Sequence, residues 1–161
     1  EKDERPLPIG HDDFLYTQLP ARDATTTGGI QRSNKFPNCS FFTNWTAVGE
    51  KIQWDVQVAK AGTYRVEIYY TCPAEQLGAT VELSLGSAKL RAQVDQAWDP
   101  VLRGGEHDRV PRSESYVKDF RAWELGTLEL EAGRGSLDLS AIKVPAGGVM
   151  DFRLLMLTRV D

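Results

Sequence analysis

The sequence has few of the side chains that most catalytic and metal sites need. It contains only two cysteines and two histidines in 161 residues, and no CxxC or HExxH spacing brings them together. Its serines lack the GxSxG context of a nucleophile elbow. The sequence therefore gives no support to a cysteine-rich zinc site, a zinc metalloprotease or an α/β-hydrolase.

Long apolar runs and a dominant charge are also missing. No run is long enough to span a membrane, and 19 basic residues face 23 acidic ones, which gives a net charge of −4. Nucleic-acid binding requires a concentrated positive face. We therefore expect neither a membrane nor a nucleic acid as partner.

The composition that remains is ordinary for a globular protein, with 41% hydrophobic and 26% charged residues. This length predicts one domain over residues 1–161 with a single core. Residues 1–12 are rich in charge, proline and glycine, which predicts an irregular entry segment. No signal peptide is recognisable, and from the abrupt start at Glu1 we expect either a domain excised from a longer protein or a trimmed sequence.

The clearest pattern lies in residues 49–72. Apolar side chains alternate with polar ones from Ile52 to Val58, and again from Tyr64 to Tyr70. Period-two alternation indicates strands with one buried face, and the short connection between them fits a hairpin. Pairing Val58 with Tyr64 would put every apolar side chain on one face of that hairpin.

Further short alternating segments follow at the spacing of an all-β fold. They lie at 79–85, 90–94, 116–122, 127–131 and 137–141, and a closing strand that contains VMDFRLLML runs from Val149 to Val160. The closing run is apolar on both parities, which predicts a central strand covered on both sides. We therefore predict an all-β fold, a two-sheet antiparallel β-sandwich of the jelly-roll type.

Candidate binding chemistry is concentrated in the irregular stretch 95–114, since long loops inside compact domains are usually functional or disordered. Aromatic faces stack on the C–H faces of sugar rings, and guanidinium groups bind carboxylates and sulfates bidentately. We therefore predict a surface for a glycan, of anionic or sulfated character. The residues that we expect to contact it are Trp98, Arg109, Arg112, Tyr116, Asn44 and Trp45.

Other interpretations of these residues stay open. The arginines pair with neighbouring carboxylates in a balanced surface loop, or the loop aromatics plug the open ends of the sandwich as part of the core. A catalytic interpretation uses His107 with Asp108 and Ser113, or nearby carboxylates as a glycosidase pair. Three polar residues in one loop more often form a solvated loop than a triad.

The two cysteines leave two alternatives. A disulfide between Cys39 and Cys72 would close a loop of about 33 residues and stabilise the fold by roughly 3–4 kcal/mol. The other alternative is a pair of buried free thiols, which are common in protein cores. Spacing does not decide between them.

Four strings resemble the C-terminal β-domain of secreted bacterial arylsulfatase-type enzymes. They are LPARDATTTGGIQRSNKFPNCSFFTNW, IQWDVQVAKAGTYRVEIYYTCP, DRVPRSESYVKDFRAWELGTLEL and VMDFRLLML. The second string is also similar to carbohydrate-binding modules of families 6 and 35. The resemblance implies a galactose-binding-like jelly roll and a secreted or periplasmic parent. Because the sulfatase signature C/S-x-P-x-R is absent from this sequence, any sulfatase chemistry would lie on another domain.

The same resemblance implies a structural calcium. Such modules often hold the ion between an early acidic residue and an aspartate that opens the last strand. By position these are Asp23 and Asp151 in this sequence, although Arg22 stands where an acid is common. The sugar-binding asparagine that often precedes the last strand is replaced by alanine, glycine and valine at 146–149.

Three functional hypotheses follow. The leading one is a non-catalytic accessory domain of a secreted polysaccharide-processing enzyme, with a sulfatase as the expected parent. It binds a glycan through its loops or packs against the parent's catalytic domain. The alternatives are a purely structural domain and a small stand-alone glycan hydrolase that uses His107.

Overall fold

The computed structural model describes residues 6–10, 15–33, 41–99 and 120–160. These residues form twelve β-strands in two six-stranded sheets. Two three-residue 3-10 turns, Ala21–Asp23 and Ala74–Gln76, are the helical content of this part of the chain. In the same ranges no helix has the length and apolar character needed to cross a membrane.

The first sheet contains β1 (Leu7–Ile9), β3 (Thr25–Thr26), β6 (Lys51–Val58), β8 (Thr80–Leu85), β9 (Ala88–Gln93) and β11 (Gly133–Lys143). The second contains β2 (Tyr16–Pro20), β4 (Gln31–Arg32), β5 (Phe42–Thr43), β7 (Gly62–Thr71), β10 (Arg121–Leu130) and β12 (Asp151–Arg159). The strand orders are β1-β6-β11-β8-β9, with β3 also on β6, and β10-β7-β12-β5-β4, with β2 also on β12. Only the pairing of β1 with β6 is parallel among the described strands.

The two sheets pack face to face and confirm the predicted β-sandwich. Their inward side chains form one buried cluster that draws on every long strand. Trp54 of the first sheet is 1% exposed and its ring centroid lies 5.7 Å from that of Phe152 in the second sheet. Aromatic and aliphatic burial of this kind supplies most of the free energy that stabilises a sandwich core.

The predicted hairpin over residues 52–70 is wrong. The alternation is real, since Ile52, Trp54, Ile68 and Tyr70 are all buried. However, β6 pairs with β11 and β1, whereas β7 pairs with β10 and β12. The connection at 59–61 crosses from one sheet to the other. Alternation reveals which face of a strand is buried, but not whether the next strand lies beside it or opposite it across the core.

The predicted irregular entry at 1–12 is wrong for its described part. Leu7–Ile9 forms β1, which extends the first sheet by pairing with the end of β6. Ile9 is completely buried, and its carbonyl accepts a hydrogen bond of 2.8 Å from the Ala59 amide. Pro8 is tolerated because β1 is an edge strand, where a missing N–H leaves no partner unpaired.

The last strand has the central position that its apolar sequence predicts. β12 runs between β7 and the short strands β2 and β5. Leu155 and Leu157 face the core, while Leu154 and Met156 are half-buried on the outer face. The pairing shifts register between Phe152 and Leu154, as a β-bulge would cause.

We expect backbone NOEs to distinguish the two arrangements of β6 and β7. Contacts between α-protons should join β6 to β11 and β7 to β12. Between β6 and β7 only side-chain contacts should appear, because facing sheets lie about 10 Å apart. An NOE between the α-protons of Val56 and Val66 would restore the hairpin and contradict the structure.

Candidate functional site

One end of the second sheet gathers the termini of three strands. β7 finishes at Thr71, and there β10 starts at Arg121 and β12 starts at Asp151. Trp98 is attached to this end by two backbone hydrogen bonds with Cys72. The Cys72 amide donates to the Trp98 carbonyl at 2.6 Å, and the Trp98 amide donates back at 2.8 Å. Trp98 and Cys72 thereby form an isolated antiparallel β-bridge, which anchors the backbone of this loop residue.

The buried Tyr70 also anchors the loop that carries Trp98. The Tyr70 hydroxyl donates a hydrogen bond of 2.5 Å to the carbonyl of Gln96. Burial raises the pKa of Tyr70 above its ordinary value, so the hydroxyl stays protonated and remains a donor at neutral pH. The Tyr70 ring also packs at 5.7 Å against the half-buried Trp123.

Two cation–aromatic groups lie at this end. The guanidinium carbon of the exposed Arg121 lies 5.7 Å from the Trp98 ring centroid. The neighbouring Phe120 ring lies 5.3 Å from that of Phe41, and the exposed Arg153 reaches over it at 5.8 Å. We call these five residues, Trp98, Arg121, Phe120, Phe41 and Arg153, the rim cluster. Its three rings are half-buried, so each is anchored and still offers surface.

The rim cluster is suited to ligands that are flat on one side and polar or anionic at the edge. Aromatic faces can pack on sugar C–H groups, while guanidinium groups donate paired hydrogen bonds to hydroxyl, carboxylate or sulfate oxygens. The arrangement contains binding groups rather than a general acid and base.

Trp45, which the sequence suggests as a ligand contact, lies in the core. Trp45 is 2% exposed and its indole N–H donates at 3.0 Å to the Glu50 carbonyl. Its own carbonyl accepts a 2.9 Å hydrogen bond from the Val149 amide. The alternative in which loop aromatics plug an end of the sandwich therefore applies to this residue.

Asn44 lies in a structural loop rather than in the rim cluster. It is exposed and has a left-handed backbone with φ of 59°, which asparagine tolerates better than most residues. Its side-chain amide donates at 2.8 Å to the Gly29 carbonyl. This bond ties the loop before β6 to the turn at Gly28 and Gly29.

The Glu50 carboxylate also joins the loop before β6 to the turn at Gly29. Glu50 accepts hydrogen bonds from the amides of Gly29 at 2.5 Å, Thr46 at 3.1 Å and Ala47 at 3.0 Å. The bond from Gly29, with those from the other two amides, lowers the pKa of Glu50 against the opposing effect of burial. Glu50 with its three amides is the loop clasp of this domain.

The remaining predicted residues stay predictions. Arg109, Arg112 and Tyr116 lie outside the described residues, as does His107. The sequence reasoning missed Phe120, Arg121 and Arg153. Arg153 carried a signal, because it is a charge inside the apolar run of the last strand.

The predicted calcium residues already have other contacts. The Asp23 carboxylate lies 3.3 Å from Nε of Arg22, and Asp151 accepts a 2.9 Å hydrogen bond from the Thr43 hydroxyl. The described ranges contain no group of three or more histidine, cysteine or acidic side chains that could hold a metal ion. Calcium takes six to eight oxygen ligands, backbone carbonyls among them, so these two carboxylates would supply only part of a site, and the calcium stays a prediction.

Cys72 is a free and fully buried thiol. This agrees with the free-thiol alternative at that position, while Cys39 lies outside the described residues. Burial, with nearby acidic groups, raises the pKa of Cys72 to about 11. The thiol therefore stays protonated at neutral pH and is neither a nucleophile nor a ready metal ligand.

Comparisons with known proteins identify the architecture. No family model and no curated protein sequence matches the chain. Among solved structures, the C-terminal CBM6 of LamC, a marine laminarinase from Zobellia galactanivorans, aligns with a TM-score of 0.60 at 12% identity, over 89% of this chain and 99% of that one. A family 35 carbohydrate-binding module from Clostridium thermocellum gives 0.55 at 14% identity, over 90% and 98%. The chain shares the β-sandwich fold of these two modules.

The same architecture occurs inside a larger enzyme. The Podospora anserina GH26-CBM35 β-(1,4)-mannanase aligns with a TM-score of 0.57 at 18% identity, over 91% of this chain. The chain spans only 28% of the length of that enzyme. It is therefore similar in extent to a single module and not to a whole mannanase.

We expect Glu50→Gln to lower the free energy of unfolding by about 1–2 kcal/mol at pH 7, because an amide N–H₂ would face a backbone donor of the loop clasp. The folded-state pKa of Glu50 lies below its ordinary value of 4.5. Its contribution is therefore complete above the unfolded pKa and is lost as pH falls through the folded one. Urea denaturation should show the difference between wild type and variant shrinking below about pH 4.5.

Glu82→Gln is the matched control, since Glu82 pairs at 2.6 Å with the exposed Arg91 on the sheet surface. It should change stability by less than about 0.5 kcal/mol. Equal stability of the Glu50 variant and wild type at pH 7 would contradict the role of the loop clasp.

Proposed function

We propose that this chain is a non-catalytic, carbohydrate-binding accessory domain of a larger polysaccharide-processing enzyme. The observation that carries the proposal is the rim cluster, with Trp98 held at the end of a sandwich whose architecture is that of carbohydrate-binding modules. Fold likeness alone does not assign a ligand. The half-buried rings and exposed guanidinium groups supply the specific chemistry.

The two guanidinium groups of the rim cluster support an anionic glycan, with the carboxylates of Asp99 and Asp151 near the same end. Arg121 and Arg153 are both exposed and both lie over aromatic rings. A carboxylate or sulfate on a sugar ring could pair with a guanidinium while the ring packs on an aromatic face. A neutral glycan would use the rings and leave this charge unused.

The parent is proposed to be a secreted or periplasmic enzyme of the sulfatase type. The support is the resemblance of four strings in the sequence to the C-terminal β-domain of arylsulfatase-type enzymes. The absence of the C/S-x-P-x-R signature from this sequence fits a division of labour in which the catalytic residues lie on another domain. The chain alone is then not an enzyme.

A second candidate is a structural role in packing against the parent's catalytic domain. The observation in its favour is the outer face of the second sheet, where Tyr69, Leu154 and Met156 are half-buried. Leu154 pairs with Tyr69 across β12 and β7, so these side chains lie on one surface. The hydrolase hypothesis depends on His107 and its neighbours, and none of the described residues supports it.

We expect Trp98→Ala to weaken binding of an anionic oligosaccharide about two- to tenfold, because ring stacking is worth roughly 0.5–1.5 kcal/mol. A glycan array would identify the oligosaccharide and titration calorimetry would measure affinity. Tyr16→Ala is the control, since Tyr16 is 63% exposed and pairs with Thr158 near the opposite end of β12. Equal loss in both variants, or no binding to any glycan, would favour the structural role.

We expect Arg121→Gln to reduce affinity for an anionic glycan several-fold and to flatten its dependence on salt, because the lost ion pair is the part that salt screens. Affinity for a neutral oligosaccharide of the same length should barely change. Arg91→Gln, on the first sheet, is the control and should bind like wild type. An unchanged salt dependence in Arg121→Gln would show that this guanidinium does not contact the ligand.

A further inference from the structure

The turn between β2 and β3 carries the chain from the second sheet to the first. It spans residues 21–24, of which Ala21 and Ala24 are buried at 0% and 1% exposure. Within the turn, the Ala21 carbonyl accepts a hydrogen bond of 3.1 Å from the Ala24 amide. Its carbonyls also accept hydrogen bonds from a side chain, and such bonds to a charged donor add stability.

One arginine donates these side-chain hydrogen bonds. Nη1 of Arg32 donates to the carbonyls of Ala21 at 3.0 Å and Arg22 at 3.5 Å. Nη2 of the same residue donates to the Ala24 carbonyl at 2.6 Å. The preceding carbonyl, of Pro20, accepts a 3.1 Å hydrogen bond from the Trp54 indole.

The position of Arg32 is fixed by the second sheet. Arg32 lies on β4 and pairs with Phe42 of β5. Its guanidinium carbon lies 5.0 Å from the Phe42 ring centroid, and Phe42 is 1% exposed. A cation–π contact below and carbonyl oxygens around it hold the guanidinium against the turn.

We infer that Arg32, an exposed residue of β4, is the cation that holds this sheet-crossing turn, beside Asp23, where the family resemblance implies calcium. Carbonyl oxygens turned toward one positive group are the kind of ligands that calcium would also use. Here they already accept hydrogen bonds from a guanidinium, whose charge would repel a divalent ion. Asp23, beside Arg22, and Asp151, beside Thr43, are engaged elsewhere.

Stability should therefore depend on Arg32 and not on calcium. This inference does not rest on glycan binding, since the turn lies outside the rim cluster. Thermal unfolding and amide exchange test it directly in the protein without any ligand.

Wild-type protein should melt within about 1 °C of the same temperature in EDTA and in millimolar calcium chloride. Arg32→Ala should lower the melting temperature by about 3–8 °C, because two or three carbonyls lose a charged donor. The amide of Ala24, which donates to the Ala21 carbonyl at 3.1 Å, should exchange at least about tenfold faster in that variant. Arg32→Lys should recover only part of the loss, since an ammonium group lacks the planar fork.

Arg91→Ala is the matched control, because it removes an arginine whose contact with Glu82 is a surface ion pair. It should leave both the melting temperature and Ala24 exchange close to wild type. A fall in the wild-type melting temperature in EDTA, reversed by calcium, would overturn the inference. So would an Arg32→Ala variant that melts and exchanges like wild type.

Discussion

The structure depends on the Trp54 side chain at the interface between the two sheets. Its ring packs against Phe152 of the opposite sheet with centroids 5.7 Å apart, and its indole N–H donates to the Pro20 carbonyl, also in the second sheet. Dispersion and hydrophobic burial set the separation of the layers, while the directional bond fixes how they are aligned. Both contacts come from one residue of a strand that pairs with β11, β1 and β3 in the first sheet.

Once the layers are fixed, the loops between them need their own polar partners. Two side chains of opposite charge, Glu50 and Arg32, provide these polar partners. The Glu50 carboxylate accepts three backbone N–H groups, and the Arg32 guanidinium donates to three backbone carbonyls. Because these loops are held by groups within the chain, the remaining rings and cations at the end of the second sheet can serve recognition. The proposed binding residues thus lie apart from the two contacts that stabilise these loops.

The sequence predicts which side chains are buried, but it does not predict which strands pair with each other. Alternation from Ile52 to Tyr70 identified the inward side chains, and the both-parity apolar run identified the central strand β12. Two strands that face each other across the core show the same alternation as two strands paired within one sheet. The pattern therefore predicted a hairpin that the structure does not contain. Trp45 and Trp98 are both loop tryptophans in the sequence, and only the distant partners Val149 and Cys72 show which one is core. The rim residues Phe120, Arg121 and Arg153 come together through strand pairing that no local pattern encodes.

A double-mutant cycle on Trp54 and Phe152 tests the central claim most directly. Free energies of unfolding would be measured by urea denaturation for Trp54→Leu, Phe152→Leu and the double variant. Packing across the sheets predicts a coupling energy of about 0.5–1.5 kcal/mol. The same cycle with Phe120, whose ring packs on Phe41 and Arg153 rather than on Trp54, should give a coupling near zero. A coupling between Trp54 and Phe152 no larger than that of the Phe120 cycle would contradict the account.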